Sequence, residues 1–134
     1  MSQENVDVVR DIYAHWAQGR LRAGLELFDP GILFESFMPD DPNELVVAHG
    51  PEGITGFMRE FLAQWENYRL LGDEFHEGGS KVVVVGRQTA RGSLSGAEVE
   101  SPMHSVWTFR GDRVIELRFT PSREEALEAA GLSE

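Results

Sequence analysis

From Tyr68 onward the sequence is cut at intervals by turn residues, and those cuts restrict the fold more than any other feature of the chain. Turns at Gly78-Gly79, Ser95-Gly96 and Arg110-Gly111-Asp112 separate the segments "YRLLGDEFHE", "KVVVVGRQTARG", "EVESPMHSVWTF" and "RVIELRF". Segments rich in β-branched and aromatic residues, joined by glycine-containing reversals, form antiparallel strands. A sheet made this way needs cover on one face, and the first half of the chain has to supply it.

That half reads largely as helix. Val6, Val9, Ile12, Tyr13 and Trp16 recur at helical spacing, predicting a helix over Ser2 to Gln18 with Ser2 as N-cap and Gly19 as stop. A short second helix is expected next, with Leu21, Leu25 and Phe28 inward. Its Gly24 is a weak point worth about 1 kcal/mol against alanine. Asp29-Pro30-Gly31 reads as a turn, "ILFESF" (Ile32 to Phe37) as a strand, and "MPDDPNEL" as an acidic loop leading to an extended "VVAH". Pro51, preorganised for a first helical position, opens a stronger helix carrying Ile54, Phe57, Met58, Phe61 and Trp65 as its apolar stripe. At the far end Ser122, Glu125 and Gly131 have the spacing of a capping box and a helix stop. The order is helix, helix, strand, helix, four antiparallel strands and a short last helix, an α+β arrangement expected to form one domain over residues 1–134.

Composition narrows the partners. With 12 basic against 23 acidic residues the chain carries a net charge of −11. A field of that sign repels phosphate backbones and anionic lipid, so neither nucleic acid nor membrane is an expected partner. The chain has no cysteine, which removes disulfides, thiol nucleophiles and thiolate metal sites. The start "MSQENVDVVRDIY" has no basic, apolar leader, and a cytoplasmic location is expected. No metal, flavin or nucleotide signature is present, so no cofactor is expected.

Strand alternation sorts the sheet into two faces. One groups Ile32, Phe34 and Ser36 with Met103, Ser105 and Trp107, with Leu117 and Phe119, and with Val84, Gly86, Gln88 and Ala90. The other holds Leu33, Glu35, Arg87, Arg91, His104, Glu116 and Arg118, is mostly charged, and is expected to face outward.

The segments "VVRDIYAHWAQGRLRAGLELFDPGILFES", "HGPEGITGFMREFL" and "SVWTFRGDRVIELRF" with "SREEALEAAGL" resemble the nuclear transport factor 2-like superfamily, in its SnoaL-like (polyketide cyclase-like) branch. The resemblance spans nearly the whole chain. It implies a cone-shaped, curved antiparallel sheet wrapped around the N-terminal helices, a cystatin-like α+β barrel open at one end. It also implies an apolar pocket inside the cone and a homodimer formed through the convex face of the sheet. The expected pocket is lined by Tyr13, Trp16, Phe34, Ser36, Phe57, Phe61, Trp65, Gln88, Met103, Ser105, Trp107, Leu117 and Phe119. Gly86, Ala90 and the two serines are small residues that would leave room beside the rings. A small apolar organic molecule suits such a cleft.

The resemblance is informative about fold and less so about chemistry. Ketosteroid isomerase-like relatives need a strand aspartate as base and a tyrosine and a protonated acid as oxyanion donors. Those acidic positions read here as Ser36 and Ser105, and the tyrosine position falls near Ile12, beside Tyr13. A serine hydroxyl cannot take a carbon-bound proton at neutral pH, so that activity is not expected. An epoxide hydrolase-like reading needs an inward aspartate-arginine-aspartate set, and none is predicted. A cyclase-like reading needs an inward acid, for which Glu35, Asp40, Asp41 and Glu44 are the candidates. Among the histidines, His49 stands before the long helix near the expected mouth and is the candidate acid-base residue. His15 and His76 read as surface residues, and His104 as part of the convex face. Neither serine sits in a nucleophile elbow. Two readings stay open: a ligand-binding domain, which if enzymatic would be a cofactor-free isomerase, cyclase or hydrolase, and a non-enzymatic dimeric module whose cone is packed shut.

Overall fold

The computed structural model describes residues 2–38 and 41–132, with Ser2 and Pro42 described through their backbone only. The elements are α1 (Ser2–Trp16), a 3-10 turn η1 (Leu25–Leu27), β1 (Phe28–Met38), β2 (Asp41–His49), α2 (Gly50–Leu62), β3 (Trp65–Gly78), β4 (Lys81–Gly92), β5 (Glu98–Pro102), β6 (His104–Arg110), β7 (Arg113–Thr120) and α3 (Arg123–Ala129). The fold is α+β, as expected. The seven strands run in the order β2-β1-β7-β6-β4-β3, with β5 also pairing β4. The sheet stays open between its edge strands β2 and β3, and β1 runs parallel to β7 while every other pairing is antiparallel.

Several elements differ from the sequence expectation. α1 ends at Trp16 rather than Gln18, and Gly19 takes a left-handed φ of 86° in the turn beyond it. Ser2 is already helical, and its capping role lies outside the described side chains. The second helix shrinks to the three residues of η1 because Gly24 adopts φ 94° at its start. A Cβ there would stand 2.9 Å from Ile12 Cδ1, so the glycine is a break required by close packing on α1. Phe28 consequently belongs to β1, and Asp29-Pro30-Gly31 forms an irregularity inside that strand. The pairing with β7 jumps from Phe28↔Val114 to Leu33↔Glu116, while Asp29 Oδ2 accepts the Gly31 N–H at 2.9 Å.

Most of the expected acidic loop is strand. β2 pairs with β1 through Phe37↔Leu45, Ser36↔Val46 and Glu35↔Val47. Pro42 is tolerated because β2 is an edge strand, where a missing donor costs no ladder bond. α2 stops at Leu62, so Trp65 opens β3 instead of closing the helical stripe. The third expected strand splits at Met103, whose N–H bonds to the Gly86 carbonyl at 3.0 Å. Gly86 is needed at that bend, since a side chain there would run into the Leu71 carbonyl of β3. It marks a close backbone approach rather than room in a pocket.

The two faces carry two cores. The inner face packs Val82, Val84, Ala90, Met103, Trp107, Leu117 and Phe119 against α1 and α2. The outer face packs Val83 and Val106 under Ala126 and Leu127 of α3. Ser122 caps α3 by accepting the Glu125 N–H at 3.1 Å. The Glu125 carboxylate takes the Thr120 hydroxyl at 2.8 Å, so the capping box closes through Thr120, which also accepts the Ser122 N–H.

Candidate functional site

The interior of the cone divides into a packed floor and an open upper part. In the floor Tyr13 Oη and Ser105 Oγ share a hydrogen bond of 2.7 Å, and Trp107 Nε1 donates to the same Ser105 Oγ at 2.9 Å. Ser105 and Trp107 are wholly buried. Their ring neighbours close the space, with Trp16–Trp107 centroids at 5.5 Å, Tyr13–Trp16 at 4.9 Å and Phe28–Trp107 at 6.3 Å. A trio of polar atoms in an aromatic setting is satisfied internally and has nothing left to offer a ligand.

Above this floor lies a cavity of about 310 Å³, between the inner face of the sheet, α2 and the segment joining α1 to η1. The lower end of the ligand-pocket range begins at about that volume. Trp16, Phe34, Ser36, Phe57, Phe61, Met103, Leu117 and Phe119 from the expected set line it. Tyr13, Gln88, Ser105 and Trp107 do not. Gln88 stands behind Tyr68, accepting its hydroxyl hydrogen at 2.7 Å and donating to Ser101 Oγ at 3.1 Å. Trp65 flanks Phe61 with centroids 6.4 Å apart and stays outside the lining. Its Nε1 is buried without a hydrogen-bond partner among the described residues.

The described acid-base candidates are elsewhere. His49 is exposed at the start of α2 and does not line the cavity. Asp41 is exposed and accepts the Asn43 N–H at 3.1 Å, a local turn contact. Asp40 lies outside the described residues. Glu35 pairs with Arg118 at 3.3 Å on the outer face, and Glu44 is exposed. His15 accepts from Arg20 Nε at 2.8 Å and His76 pairs with Glu74 at 3.0 Å, both at the surface. His104 is the expected convex-face histidine. It is buried in the single chain, where its Nδ1 accepts the Gly86 N–H at 3.1 Å.

Tyr68 and Leu70 line the cavity and were not expected to. Asn67 sits at φ 53°, and the β3–β4 register slips between Glu66 and Arg69 and again between Gly72 and Glu74. Slips of that kind turn side chains to the other face, and simple alternation cannot foresee them. Arg22 and Arg59 also line the cavity, at exposed positions that mark its opening. Nothing in their spacing distinguishes them in the sequence.

Titration follows burial. Desolvation raises Tyr13, opposed by its bonds to Ser105 and Trp107, and desolvation with the charge of Tyr13 raises Tyr68. Both phenols stay protonated at neutral pH and act as donors or acceptors, never as bases. Desolvation lowers His104, with Arg123 adding to the effect. His76 and Arg123 lower Glu74 through hydrogen bonds. Among the described residues the cavity lining contains no carboxylate, imidazole, amine or thiol. Ser36 Oγ has one poor contact, 3.5 Å to the Phe37 carbonyl, which leaves it the freest buried polar atom of the lining.

An open mixed sheet with helices across its inner face and an apolar space between them is the nuclear transport factor 2-like architecture. Within that class the chain belongs to the SnoaL-like domain family, whose sequence pattern matches residues 9–117. Solved structures agree. The chain is similar to a nuclear transport factor 2-like protein of unknown function from Burkholderia pseudomallei K96243, at 22% identity over 92% of this chain and 95% of that one, with a TM-score of 0.75. It is similar to a SnoaL-like polyketide cyclase, so described, from Jannaschia sp. CCS1, at 23% identity, 88% and 85% coverage and a TM-score of 0.71. TerC, co-crystallised with polyporic acid, matches at 20% identity, 95% and 98% coverage and a TM-score of 0.73. Identities this low establish the shared fold. Comparison with curated proteins gives no match. Among the described residues no helix is long and apolar enough to cross a membrane.

Proposed function

We propose that this domain binds a small, largely apolar organic molecule in the cavity beneath α2, and that it does so without general acid-base chemistry of its own. The observation that carries the reading is the cavity's lining: rings and aliphatic side chains around the scarcely bonded Ser36 hydroxyl, with no titratable base among the described residues. TerC, a protein of the same fold, was co-crystallised with an organic molecule, which is consistent with the reading. The packed floor fits the alternative of a shut cone, but the space above it favours binding.

A neutral aromatic probe, naphthamide, tests this by calorimetry. It is expected to bind the full chain, and Met58→Trp, which places a ring in the cavity, is expected to abolish binding while the far-ultraviolet circular dichroism stays native. Overpacking of this kind costs about 1–3 kcal/mol, so folding survives. Undiminished binding by Met58→Trp would place the probe elsewhere and sink the proposal.

We also propose that two copies associate through the part of the outer face that α3 leaves bare. Leu45 and Val47 on β2 are 74% and 55% exposed in the single chain, which supports this reading. Light scattering on Leu45→Asp with Val47→Asp is expected to give a monomer where the wild-type chain gives a dimer. A monomeric wild-type chain would dismiss the idea.

A further inference from the structure

Charge around the cavity runs against the rest of the molecule. The chain has 23 acidic and 12 basic residues, and Arg87, Arg91, Arg110, Arg118 and Arg123 each pair with a carboxylate. Ten of the 12 basic side chains do hold a partner, whether a carboxylate, a carbonyl, a hydroxyl, an imidazole or an aromatic ring. Among the described residues, the two that hold none are Arg22 and Arg59. Both line the cavity, and among the described residues no Asp or Glu shares the lining with them.

A single unpaired surface arginine is ordinary and means little. Here two separate elements, the α1–η1 connection and α2, each bring one to the same opening, and among the described residues no acid lines it beside them. A guanidinium offers a planar fork of donors that matches a carboxylate, and it does so best where apolar walls reduce competition from water. Inside the opening the walls are aromatic, with Phe34–Phe57 centroids at 5.8 Å and Phe57–Phe61 at 5.5 Å. The repulsion of an anion by the chain's overall negative charge fades over roughly 8 Å at physiological ionic strength, so contacts at the rim decide affinity.

We infer that the cavity takes a small aromatic carboxylate, its ring among Phe34, Phe57 and Phe61 and its carboxylate held at the rim by Arg22 and Arg59. The inference rests on the cavity being a ligand site, as proposed above.

Naphthoate and naphthamide have nearly the same shape and differ in charge. Calorimetry of both probes with the full chain is expected to show naphthoate binding about tenfold more tightly, the scale of a charge-assisted hydrogen bond at a partly solvated site. Arg22→Ala with Arg59→Ala is expected to bring that ratio close to one, naphthoate losing more affinity than naphthamide, while native far-ultraviolet circular dichroism shows that the variant is folded. Arg91→Ala with Arg110→Ala removes the same two charges from surface pairs with Glu98 and Asp29 and is expected to keep the preference. Equal affinities in the wild-type chain, or a preference that survives the rim variant, would overturn the inference and leave the cavity reading standing. If neither probe binds, both fall together.

Discussion

Two serines on the same face of one sheet mark the difference between the floor of the cone and its upper part. Ser105 on β6 is 0% exposed and Ser36 on β1 is 2% exposed, so burial alone hardly separates them. Ser105 Oγ joins Tyr13 and Trp107 at 2.7 and 2.9 Å, whereas Ser36 Oγ reaches only its neighbour's carbonyl at 3.5 Å. One hydroxyl is part of the packing and the other faces a cavity of about 310 Å³. What distinguishes structural from available polarity inside this fold is therefore hydrogen-bond satisfaction.

The largest effect that would break the comparison lies in the floor. Trp107→Ala removes a wholly buried ring packed against Trp16, Tyr13 and Phe28. It should cost about 3–5 kcal/mol, read as a lower urea midpoint. A loss below about 1 kcal/mol would mean the floor is as loosely packed as the space above it.

Next comes the serine itself. Ser105→Ala keeps the volume of the side chain nearly intact but strands the Trp107 N–H and leaves the Tyr13 hydroxyl without its partner. Unmade buried hydrogen bonds cost about 1–3 kcal/mol each, so a loss of roughly 2–4 kcal/mol is expected. If Tyr13→Phe is combined with it, the two losses should fail to add, because they share one network.

How much of this was legible depends on the kind of information each feature uses. The alternation in "SVWTFRGDRVIELRF" and its neighbours placed Ser105, Trp107, Leu117, Phe119, Val84, Gln88 and Ala90 on the inner face, and all are buried there. Parity says which face a side chain takes, but not how deep in the cone it sits. Depth depends on where α1 and α2 cross the sheet, so Ser105 and Ser36 looked alike. Gly24 and Gly86 were read by composition, as a weak helix residue and as spare room. Their meaning came from contacts with Ile12 and Leu71 that are distant in sequence. Tyr68 was hidden by the slips in β3, and the arginines by the absence of any pattern that marks a missing partner.

Smaller again is an acid response that belongs to the outer face. Tyr13 and Tyr68 are raised by burial and do not titrate near neutrality, so the interior trio is insensitive to mild acid. His104 is lowered by burial from its ordinary 6.5, and its neutral Nδ1 is what accepts the Gly86 N–H. Below pH 6.5 the unfolded chain takes up a proton that the folded chain refuses. Stability should therefore fall as pH drops from 6.5 toward the lower folded value. Glu74, held below its ordinary 4.5 by His76 and Arg123, adds to the loss as pH drops below 4.5. Chemical denaturation across this range, with His104→Gln expected to flatten the slope, checks the assignment. An unchanged slope would move the acid response to another group.

The smallest effect on stability is the most telling for the cavity. Ser36→Ala removes a hydroxyl whose one contact is too long to contribute much, so stability should change by less than about 0.5 kcal/mol. The same substitution at Ser105 is expected to cost several times more. Affinity should behave in the opposite way. If the Ser36 hydroxyl orients a bound molecule, Ser36→Ala should weaken naphthamide binding by a few-fold, and Ser105→Ala should leave it nearly unchanged in whatever fraction stays folded. A Ser36→Ala variant that loses stability without losing affinity would show that the hydroxyl belongs to the packing after all, and the distinction between floor and cavity would have to be redrawn around Tyr68.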